Sequence, residues 1–343
     1  MARALAEIGF EIIYCELWER LDPKVFSDIN ESSEVALLCK LAPGLTLLRC
    51  PSHLLQECLS RATPDTLVLH WPYQYEWLPQ AILSSVIYEI MDDHAIFPNS
   101  NAAWNDIHHK WIQGADVVVV TADDLYKQLI EERPDILLIP NAVRTEDWLT
   151  DGYLDVPDDM KEVRNAEVVV GYYGTIAEWM DWALLEEVIS VMRDWAFVLI
   201  GPMQSSEELE IVETFQSNFP NLYYLGPKRY EDLLHYSYHF DIAIIPFKLN
   251  EITHACSPVK LFEYMAAGKP IVATPMREIQ KYDGVLFAND SEAFVNQLNK
   301  ALSLKVDSDY LKTLRDEANA NTWRARAHAL ETALKSAHQR RGK

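Results

Sequence analysis

Short apolar runs alternate with helix-like segments along the first half of the chain. The runs are rich in β-branched residues, and this order is typical of a parallel sheet covered by helices on both faces. Helix-like segments include Ala102–Gln113 and Ala122–Glu131. We therefore predict an α/β, Rossmann-like first domain over residues 1–150. Its predicted strands are Glu11–Leu17, Leu45–Arg49, Thr66–His70, Val86–Ile90, Asp116–Thr121 and Ile136–Pro140.

The segment from Thr145 to Asn165 is rich in acidic residues and has neither a helical nor a strand period. We place the domain boundary there, because the alternation starts again beyond it. A second Rossmann-like domain is predicted over residues 166–303, and residues 304–343 are predicted to form helices that could cross back to the first domain. The predicted strands of the second domain are Val168–Tyr173, Phe197–Ile200, Leu222–Leu225, Asp241–Ile245, Ile271–Ala273 and Val285–Phe287.

Residues Arg3–Glu16 have the pattern of the end of a helix, a glycine turn and a following strand. A doubly wound domain normally opens with a strand before that helix. The first strand of the N-terminal domain is therefore expected to be missing. A start codon placed too late and a natural truncation would both produce this pattern.

Charge narrows the expected partners. The chain holds 30 Lys and Arg against 52 Asp and Glu, a formal net charge of −22. Such a surface repels phosphate backbones, so we expect no nucleic-acid partner. Residues 304–343 differ, because they hold nine Lys and Arg against five Asp and Glu. This basic tail could contact an anionic membrane surface.

The cysteines and the apolar runs indicate the compartment. The five cysteines are unevenly spaced and form no C-x-x-C pair, which argues against a disulfide framework or a zinc site. No stretch reaches the roughly 18 apolar residues that span a bilayer, and the start of the chain has no export signal. We expect a cytoplasmic protein that could lie peripherally at the inner face of the membrane.

The segment Ser257–Gly268, S-P-V-K-L-F-E-Y-M-A-A-G, is the richest in candidate chemistry. It predicts a helix with Ser257 as N-cap, Pro258 at the first position and Gly268 just past the end. A helix N-terminus carries free N–H groups and a partial positive charge. The positive charge of Lys260 in the first turn is unfavourable beside this helix end, unless an anion lies between the lysine and the helix end. The predicted diphosphate contacts are Ser257, Pro258, Val259 and Lys260.

Glu263 lies one turn after Lys260, so the two side chains face the same side of the predicted helix. A carboxylate at this position can accept both hydroxyl protons of a ribose diol, as an acidic residue does in dinucleotide-binding folds. The alternative is an ordinary Lys–Glu pair on the helix surface.

Three loops that follow predicted strands supply further candidates. Gly174 and Thr175 could approach a phosphate closely, because ligands of open α/β sheets bind at the carboxyl ends of strands. Lys248 could neutralise a phosphate, and the loop with Lys228 and Tyr230 could hold a base. The alternatives are a glycine kept for steric reasons and loop charges that are simply solvated.

In the first half, His70 ends one predicted strand and Asp92-Asp93-His94 follows another. Carboxylates and an imidazole at a strand end can bind sugar hydroxyls or exchange a proton, so Asp93 and His94 are the candidate catalytic residues. The spacing is not that of a metal site, and we expect no metal. Aromatic residues that could stack on sugar rings, or simply fill a core, are Trp71, Tyr73, Tyr75 and Trp77.

Taken together, the segments resemble those of retaining, nucleotide-sugar-dependent glycosyltransferases of group 1, which are similar to glycosyltransferase family 4. These enzymes have two Rossmann-like domains facing a cleft, the GT-B fold. The sequences of these segments are similar to those of members that build bacterial surface polysaccharides of the teichuronic acid or exopolysaccharide type. The segments are S-P-V-K-L-F-E-Y-M-A-A-G-K-P-I-V-A-T (257–274), G-Y-Y-G-T-I-A-E-W-M-D-W (171–182), D-V-V-V-V-T-A-D-D-L (116–125), I-P-N-A-V (139–143) and D-I-A-I-I-P-F (241–247).

The resemblance implies that Glu263 is the second acid of the family's E-x7-E pattern, which contacts the donor ribose. Ala255 stands where the first acid would be, and the family's paired Arg and Lys are not visible between Gly174 and Leu185. Phosphate charge would then be met by Lys260, Lys248 or backbone N–H groups.

The implied reaction is transfer of a hexose-like unit from a nucleoside diphosphate to an acceptor hydroxyl of a saccharide or lipid-linked acceptor, with the anomeric configuration kept. No cofactor or metal is expected, because a helix dipole and lysines can stabilise the departing diphosphate. Asp93 or His94 could orient the acceptor. The competing hypotheses are a nucleotide-sugar epimerase or a phosphorylase on the same frame, and an inactive, truncated nucleotide-binding subunit.

Overall fold

A computed structural model describes most of the chain and divides it into two compact units. The first unit is Met1–Asn141 with Ala255–Ser257 and Trp323–Lys343, and the second is Ala142–His254 with Pro258–Thr322. The division falls just before the acid-rich segment in which the sequence places the boundary. The described residues are 1–17, 36–72, 74, 85–94, 96, 102–150, 152–163 and 166–341.

The first unit contains two sheets in its described part. One has the strand order β1-β3-β2, and the other has the order β4-β5-β6-β7, with every neighbouring pair in the second sheet parallel. The strands are β1 (Ile12–Leu17), β2 (Leu37–Ala42), β3 (Leu45–Cys50), β4 (Thr66–Leu69), β5 (Ser85–Ile90), β6 (Val117–Val120) and β7 (Leu137–Leu138). The helices are α1 (Ala2–Glu7), α2 (Ser52–Ala62), α3 (Ala102–Gly114) and α4 (Asp123–Leu129).

Strand β2 is a strand that the sequence analysis does not predict. It pairs with β3 in the antiparallel sense, with Ala42 opposite Leu45. Pro43 and Gly44 lie between them, and Gly44 has a φ of +71°. Proline followed by a glycine of positive φ is the sequence of a tight two-residue turn, which reverses the chain. The other strand pairs of this unit are parallel as predicted, and β2 adds one antiparallel pair at this edge.

The start of the chain has the predicted local order. Helix α1 is followed by Gly9, whose φ is +106°, and then by β1. Leu5 of α1 is buried in an apolar cluster with Val119 of β6 and Leu330 near the chain end. Leu330 lies on α12 (Trp323–Arg341), so the last helix helps to build the core of the first unit.

The second unit is a six-stranded, all-parallel sheet with the order β10-β9-β8-β11-β12-β13. Its strands are β8 (Val168–Tyr173), β9 (Trp195–Ile200), β10 (Leu222–Tyr224), β11 (Ile242–Ile245), β12 (Ile271–Ala273) and β13 (Val285–Phe287). Its helices are α5 (Trp182–Val191), α6 (Ser206–Asn218), α7 (Leu233–Tyr238), α8 (Glu251–His254), α9 (Val259–Ala266), α10 (Ser291–Leu304) and α11 (Ser308–Ala320).

The six strands predicted for this unit are confirmed, three of them with identical bounds. Every residue of β8, β9 and β11 is buried, because helices cover both faces of the sheet. The order places β8 and β11 side by side, with Val170 opposite Ile242. These two strands lead to opposite halves of the sheet, which makes their carboxyl ends the topological switch point where such folds bind ligands.

Within the described part of the chain, no helix combines the length and the apolar character needed to cross a membrane.

Candidate active site

Three chain segments meet beside the switch point of the second unit. The loop that begins with Gly174 follows β8, the residues around Phe247 follow β11, and α9 begins at Val259. The bridge between Met180 and Phe247 ties the first two segments together. The Lys248 N–H also donates to Trp179 O at 2.7 Å. The site is therefore framed by hydrogen-bonded loops on a rigid sheet.

Helix α9 begins at Val259, one residue later than the sequence predicts. Pro258 is the N-cap residue, with an extended ψ of 118°, and it makes no side-chain capping bond. Ser257 is buried, and its Oγ has no hydrogen-bond partner among the described residues. The prediction of Ser257 as N-cap is therefore wrong, because Pro258 is still extended. The predicted stop is confirmed, since Gly268 has a φ of +64° and its N–H donates to Met265 O.

Lys260 points its ammonium group into a neutral, aromatic setting. Its Nζ lies 4.7 Å from the centroid of the Tyr172 ring and 4.8 Å from that of the Phe247 ring. The same Nζ donates to Tyr172 Oη at 3.2 Å. An ammonium group uses three donors, so this arrangement leaves N–H groups of Lys260 for a ligand.

Gly174 lets the loop after β8 approach Lys260. Its φ is +132°, and a Cβ at this position would lie 2.7 Å from Cε and 2.8 Å from Nζ of Lys260. The Gly174 N–H already donates to Ile200 O at 2.9 Å, and the Ile176 N–H donates to Pro202 O. Gly174 therefore supplies space rather than a donor. The role of Thr175 as a phosphate contact stays a prediction.

Glu263 lies on α9 and is only 4% exposed, so it does not form the ordinary surface pair with Lys260 that the sequence left open. Burial raises the pKa of its carboxyl group to about 7. The nearby hydroxyl groups of Tyr173 and Tyr230, together with the Lys260 charge, act against this rise. Because burial dominates, the carboxyl group is partly protonated near neutral pH.

Aromatic rings enclose this carboxyl group. The Trp148 ring stacks on the Tyr173 ring at 5.5 Å and meets the Tyr230 ring edge-on at 6.1 Å. Tyr173 Oη is buried and lies beside the Glu263 carboxyl group. Tyr230 is 46% exposed, whereas Trp148 and Tyr173 are buried. We call Glu263, Trp148, Tyr173 and Tyr230 the carboxyl chamber.

Lys228 and Lys248 are two further predicted donor contacts. Lys228 forms an ion pair with Asp159 at 2.7 Å, and its Nζ lies 5.4 Å from the centroid of the Tyr236 ring. Its charge is therefore already neutralised, which weakens the case for a base or phosphate contact. The Lys248 side chain is exposed, and its role stays a prediction.

In the first unit, His94 is buried rather than open to solvent. Its ring lies 4.6 Å from the Trp71 ring and 5.4 Å from the His108 ring. Burial lowers the pKa of His94 to about 4, so the ring is neutral at pH 7. Burial also raises the pKa of Asp92 to about 6, and Asp93 is half-buried. The roles of Asp93 and His94 stay predictions.

Two further predictions concern this unit. Trp71 is half-buried and contacts His94, while Tyr73, Tyr75 and Trp77 lie outside the described residues. No group of three or more His, Cys, Asp or Glu side chains that could hold a metal ion is found where the structure describes the chain.

Comparisons with known proteins bear directly on the second unit. Residues 167–303 match the family model described as Glycosyl transferases group 1. These residues form a group 1 glycosyltransferase domain. The match contains β8 to β13 and α9, so the domain carries Lys260 and the carboxyl chamber residues Tyr173, Tyr230 and Glu263.

A curated relative matches beyond this domain. The putative teichuronic acid biosynthesis glycosyltransferase TuaH of Bacillus subtilis (strain 168) is 27% identical to this chain over 221 residues. The alignment covers 62% of this chain and 55% of the relative, so the chain spans about half the length of that protein.

Solved structures match both units. Sucrose-phosphate synthase from Thermosynechococcus elongatus has a TM-score of 0.68 at 15% identity, covering 98% of this chain and 91% of that one. HepE of Anabaena in complex with UDP and glucose has a TM-score of 0.62 at 15% identity, covering 83% and 81%. The group 1 glycosyltransferase domain therefore belongs to a chain with the expected GT-B fold of two Rossmann-like domains.

The structure thus places Gly174 against Lys260, joins Thr175 to Lys260 through the Tyr172 hydroxyl group, and places Tyr230 beside Glu263. Sequence reasoning missed Tyr172, Tyr173 and Trp148. The two tyrosines belong to the quoted G-Y-Y-G segment, where their apolar neighbours suggested only a strand. Trp148 lies in the acid-rich segment that has no periodic pattern, and no signal in the sequence points to its role.

Proposed function

We propose that the protein is a glycosyltransferase that moves a hexose-like unit from a nucleoside-diphosphate sugar to an acceptor hydroxyl, in the synthesis of a surface polysaccharide or glycoconjugate. The observation that carries the proposal is the pairing, on one turn of α9, of a cation beside the β8 loop with a buried carboxyl group. TuaH is described as a putative teichuronic acid biosynthesis glycosyltransferase, and HepE binds UDP and glucose. These relatives support the donor class and the biosynthetic role.

Lys260, the N-terminus of α9 and the Thr175 N–H are the proposed diphosphate contacts. As the bond between the sugar C1 and the diphosphate oxygen breaks, negative charge grows on that oxygen. A fixed ammonium group and helix N–H groups stabilise such charge without reorganisation. We propose that this suffices for a metal-independent reaction.

Glu263 is the proposed ribose contact. Its carboxyl group can accept the hydroxyl protons of a ribose diol, and the Tyr173 hydroxyl lies beside it. Tyr230, as the exposed ring of the carboxyl chamber, is the group that a nucleoside would meet first. Ligand hydroxyls would then offset part of the free energy lost on burying the carboxylate.

The proposed transfer keeps the anomeric configuration. The acceptor oxygen forms a bond to C1 as the diphosphate oxygen leaves, and the acceptor proton passes to that leaving oxygen. Asp93 and His94 keep their predicted role of orienting the acceptor hydroxyl. The family match and TuaH favour transfer over the epimerase that the sequence left open.

The proposal is tested by incubating the protein with nucleoside-diphosphate sugars, beginning with UDP-sugars, and a panel of glycoside and lipid-linked acceptors. We expect a glycoside whose anomeric proton coupling by NMR matches the donor, with rates unchanged by EDTA. An inverted product or loss of the rate in EDTA would contradict the mechanism. Conversion of the donor sugar without any acceptor would instead indicate an epimerase.

A further inference from the structure

Tyr172 lies near the end of β8, and its hydroxyl group joins two parts of the site. The side chain is fully buried. Its Oη donates to the Thr175 carbonyl oxygen at 2.8 Å and accepts from Lys260 Nζ at 3.2 Å. One oxygen atom therefore links the phosphate loop after β8 to the cation of α9.

The directions of both hydrogen bonds are fixed by chemistry. A lysine ammonium group can only donate, and a carbonyl oxygen can only accept. A hydroxyl group with one proton and two lone pairs satisfies both at once. Phenylalanine at this position would keep the ring but would leave both partners without that bond.

The ring of Tyr172 also holds the ammonium group in place. Lys260 Nζ lies 4.7 Å from its centroid and 4.8 Å from that of Phe247, within the range of a cation–π contact to each ring. Gly174 borders the same nitrogen, since a Cβ there would approach it to 2.8 Å. The ammonium position is thus defined by two rings, one hydroxyl group and one loop.

We infer that Tyr172 is a positioning residue for the diphosphate half of the donor site. It couples Lys260 to the Gly174–Thr175 loop, so that the cation and the loop N–H present one fixed arrangement to a diphosphate. Fixing both groups before binding reduces the conformational entropy that is lost when the ligand binds. This inference rests on the proposed function for the identity of the ligand, and on the contacts above for the coupling.

The first test compares UDP, inorganic pyrophosphate and uridine by calorimetry. Tyr172→Phe should weaken UDP and pyrophosphate roughly tenfold, the loss typical of one hydrogen bond to a charged group, and leave uridine unchanged. In a Lys260→Met background the same change should cost less than in the parent, because only the bond to the Thr175 carbonyl oxygen is then left to lose. Equal losses for uridine and UDP, or additive losses with Lys260→Met, would overturn the inference.

Tyr310→Phe is a matched control. Tyr310 Oη also joins a donor to an acceptor, with the Ile271 N–H at 3.4 Å and the Gly284 carbonyl oxygen at 2.6 Å. It contacts neither Lys260 nor the β8 loop. This variant should lose stability as Tyr172→Phe does, yet bind all three ligands as the parent does. A similar loss of UDP affinity in both variants would reduce Tyr172 to a structural residue.

A second measurement needs no nucleotide. Lys260 should be acylated several-fold faster by an amine-reactive ester in Tyr172→Phe, because its ammonium group loses the oxygen that holds it. Peptide mass spectrometry reads this rate, with Lys248 as the internal reference. An unchanged Lys260 rate would overturn the coupling. If the parent binds no diphosphate while the Lys260 rate rises, the proposed function fails and the positioning of Lys260 stands.

Discussion

The Glu263 carboxyl group is buried among aromatic rings, where an ionised carboxylate is unstable. A leucine or glutamine would fit such surroundings at a lower cost in folding free energy. The positive charge that acts on it, on Lys260, is itself held by Tyr172 and Phe247. A residue that is costly for stability and lies beside a ligand site is typical of function.

The stability of the protein should therefore depend on pH through Glu263. Its pKa in the folded chain, about 7, lies above the ordinary value of 4.5. Between these pH values the folded chain binds more protons at this site than the unfolded chain, so the free energy of unfolding falls as pH rises. Replacing the group by Glu263→Gln removes roughly 3.5 kcal/mol of that fall, at about 1.4 kcal/mol per pKa unit.

Urea unfolding of the parent and Glu263→Gln at pH 4.5, 6 and 8 measures this effect. The difference between the two should grow with pH in favour of the variant. Glu178→Gln, at an exposed carboxyl group, is the control and should follow the parent. Parallel pH profiles for the parent and Glu263→Gln would show that the carboxyl group titrates normally.

Among the individual residues, the sequence predicted Lys260 and Glu263 as candidate donor contacts because they share one helix turn. It could not predict the carboxyl chamber, since Trp148, Tyr173 and Tyr230 come from three distant segments. It also could not show that Lys228 is neutralised, because Asp159 approaches it only in the folded chain. Contacts between distant segments depend on packing, which local patterns do not contain.

Among the elements, the start of α9 shows what local rules miss. Ser, then Pro, is the usual order of an N-cap and a first helical residue. Here Pro258 is still extended, and Ser257 lies within the first unit, where its carbonyl oxygen accepts from Asn141 Nδ2 at 2.6 Å. The helix thus starts later than the local pattern predicts, and the residue before its N-cap is held by a tertiary hydrogen bond to its backbone.

Ser257→Ala should consequently leave the free energy of unfolding within about 0.5 kcal/mol of the parent, because its Oγ caps nothing. Asp290→Ala is the control. Asp290 caps α10, with Oδ1 accepting the Ala293 N–H at 2.8 Å, and its loss should cost about 1 kcal/mol. Urea unfolding measures both values. Equal losses would show that Ser257 does cap the helix.

Strands were predicted better than helix ends. The strands of the second unit are uninterrupted apolar runs, since both faces of a parallel sheet are covered, and such runs stand out in a sequence. Strand β2 contains Cys39 and Lys40 within its short span and has no such run. Its position depends on pairing with β3 through the Pro43-Gly44 turn, which was not recognised.

For the whole molecule, the sequence predicted two Rossmann-like domains, and the structural comparisons confirm the fold. It could not predict that Ala255–Ser257 belongs to the first unit. Ala255 packs there beside apolar residues such as Val120 and Leu125. A segment of three residues is too short to have a hydrophobic period or a composition of its own.

Net charge makes the local cations more important. The chain carries a formal charge of −22, which repels a nucleotide as it approaches. Binding of an anionic donor therefore depends on a few positive groups at close range. Lys260 and the N-terminus of α9 are those groups in our account.

The most direct test is calorimetric titration of UDP and uridine into the parent, Glu263→Ala and Lys260→Ala. Glu263→Ala should weaken both ligands by about 1.5–3 kcal/mol, the range for hydrogen bonds to a charged group, because it removes the ribose contact. Lys260→Ala should weaken UDP and leave uridine unchanged. Unaltered affinity of Glu263→Ala for both ligands would contradict the proposed site.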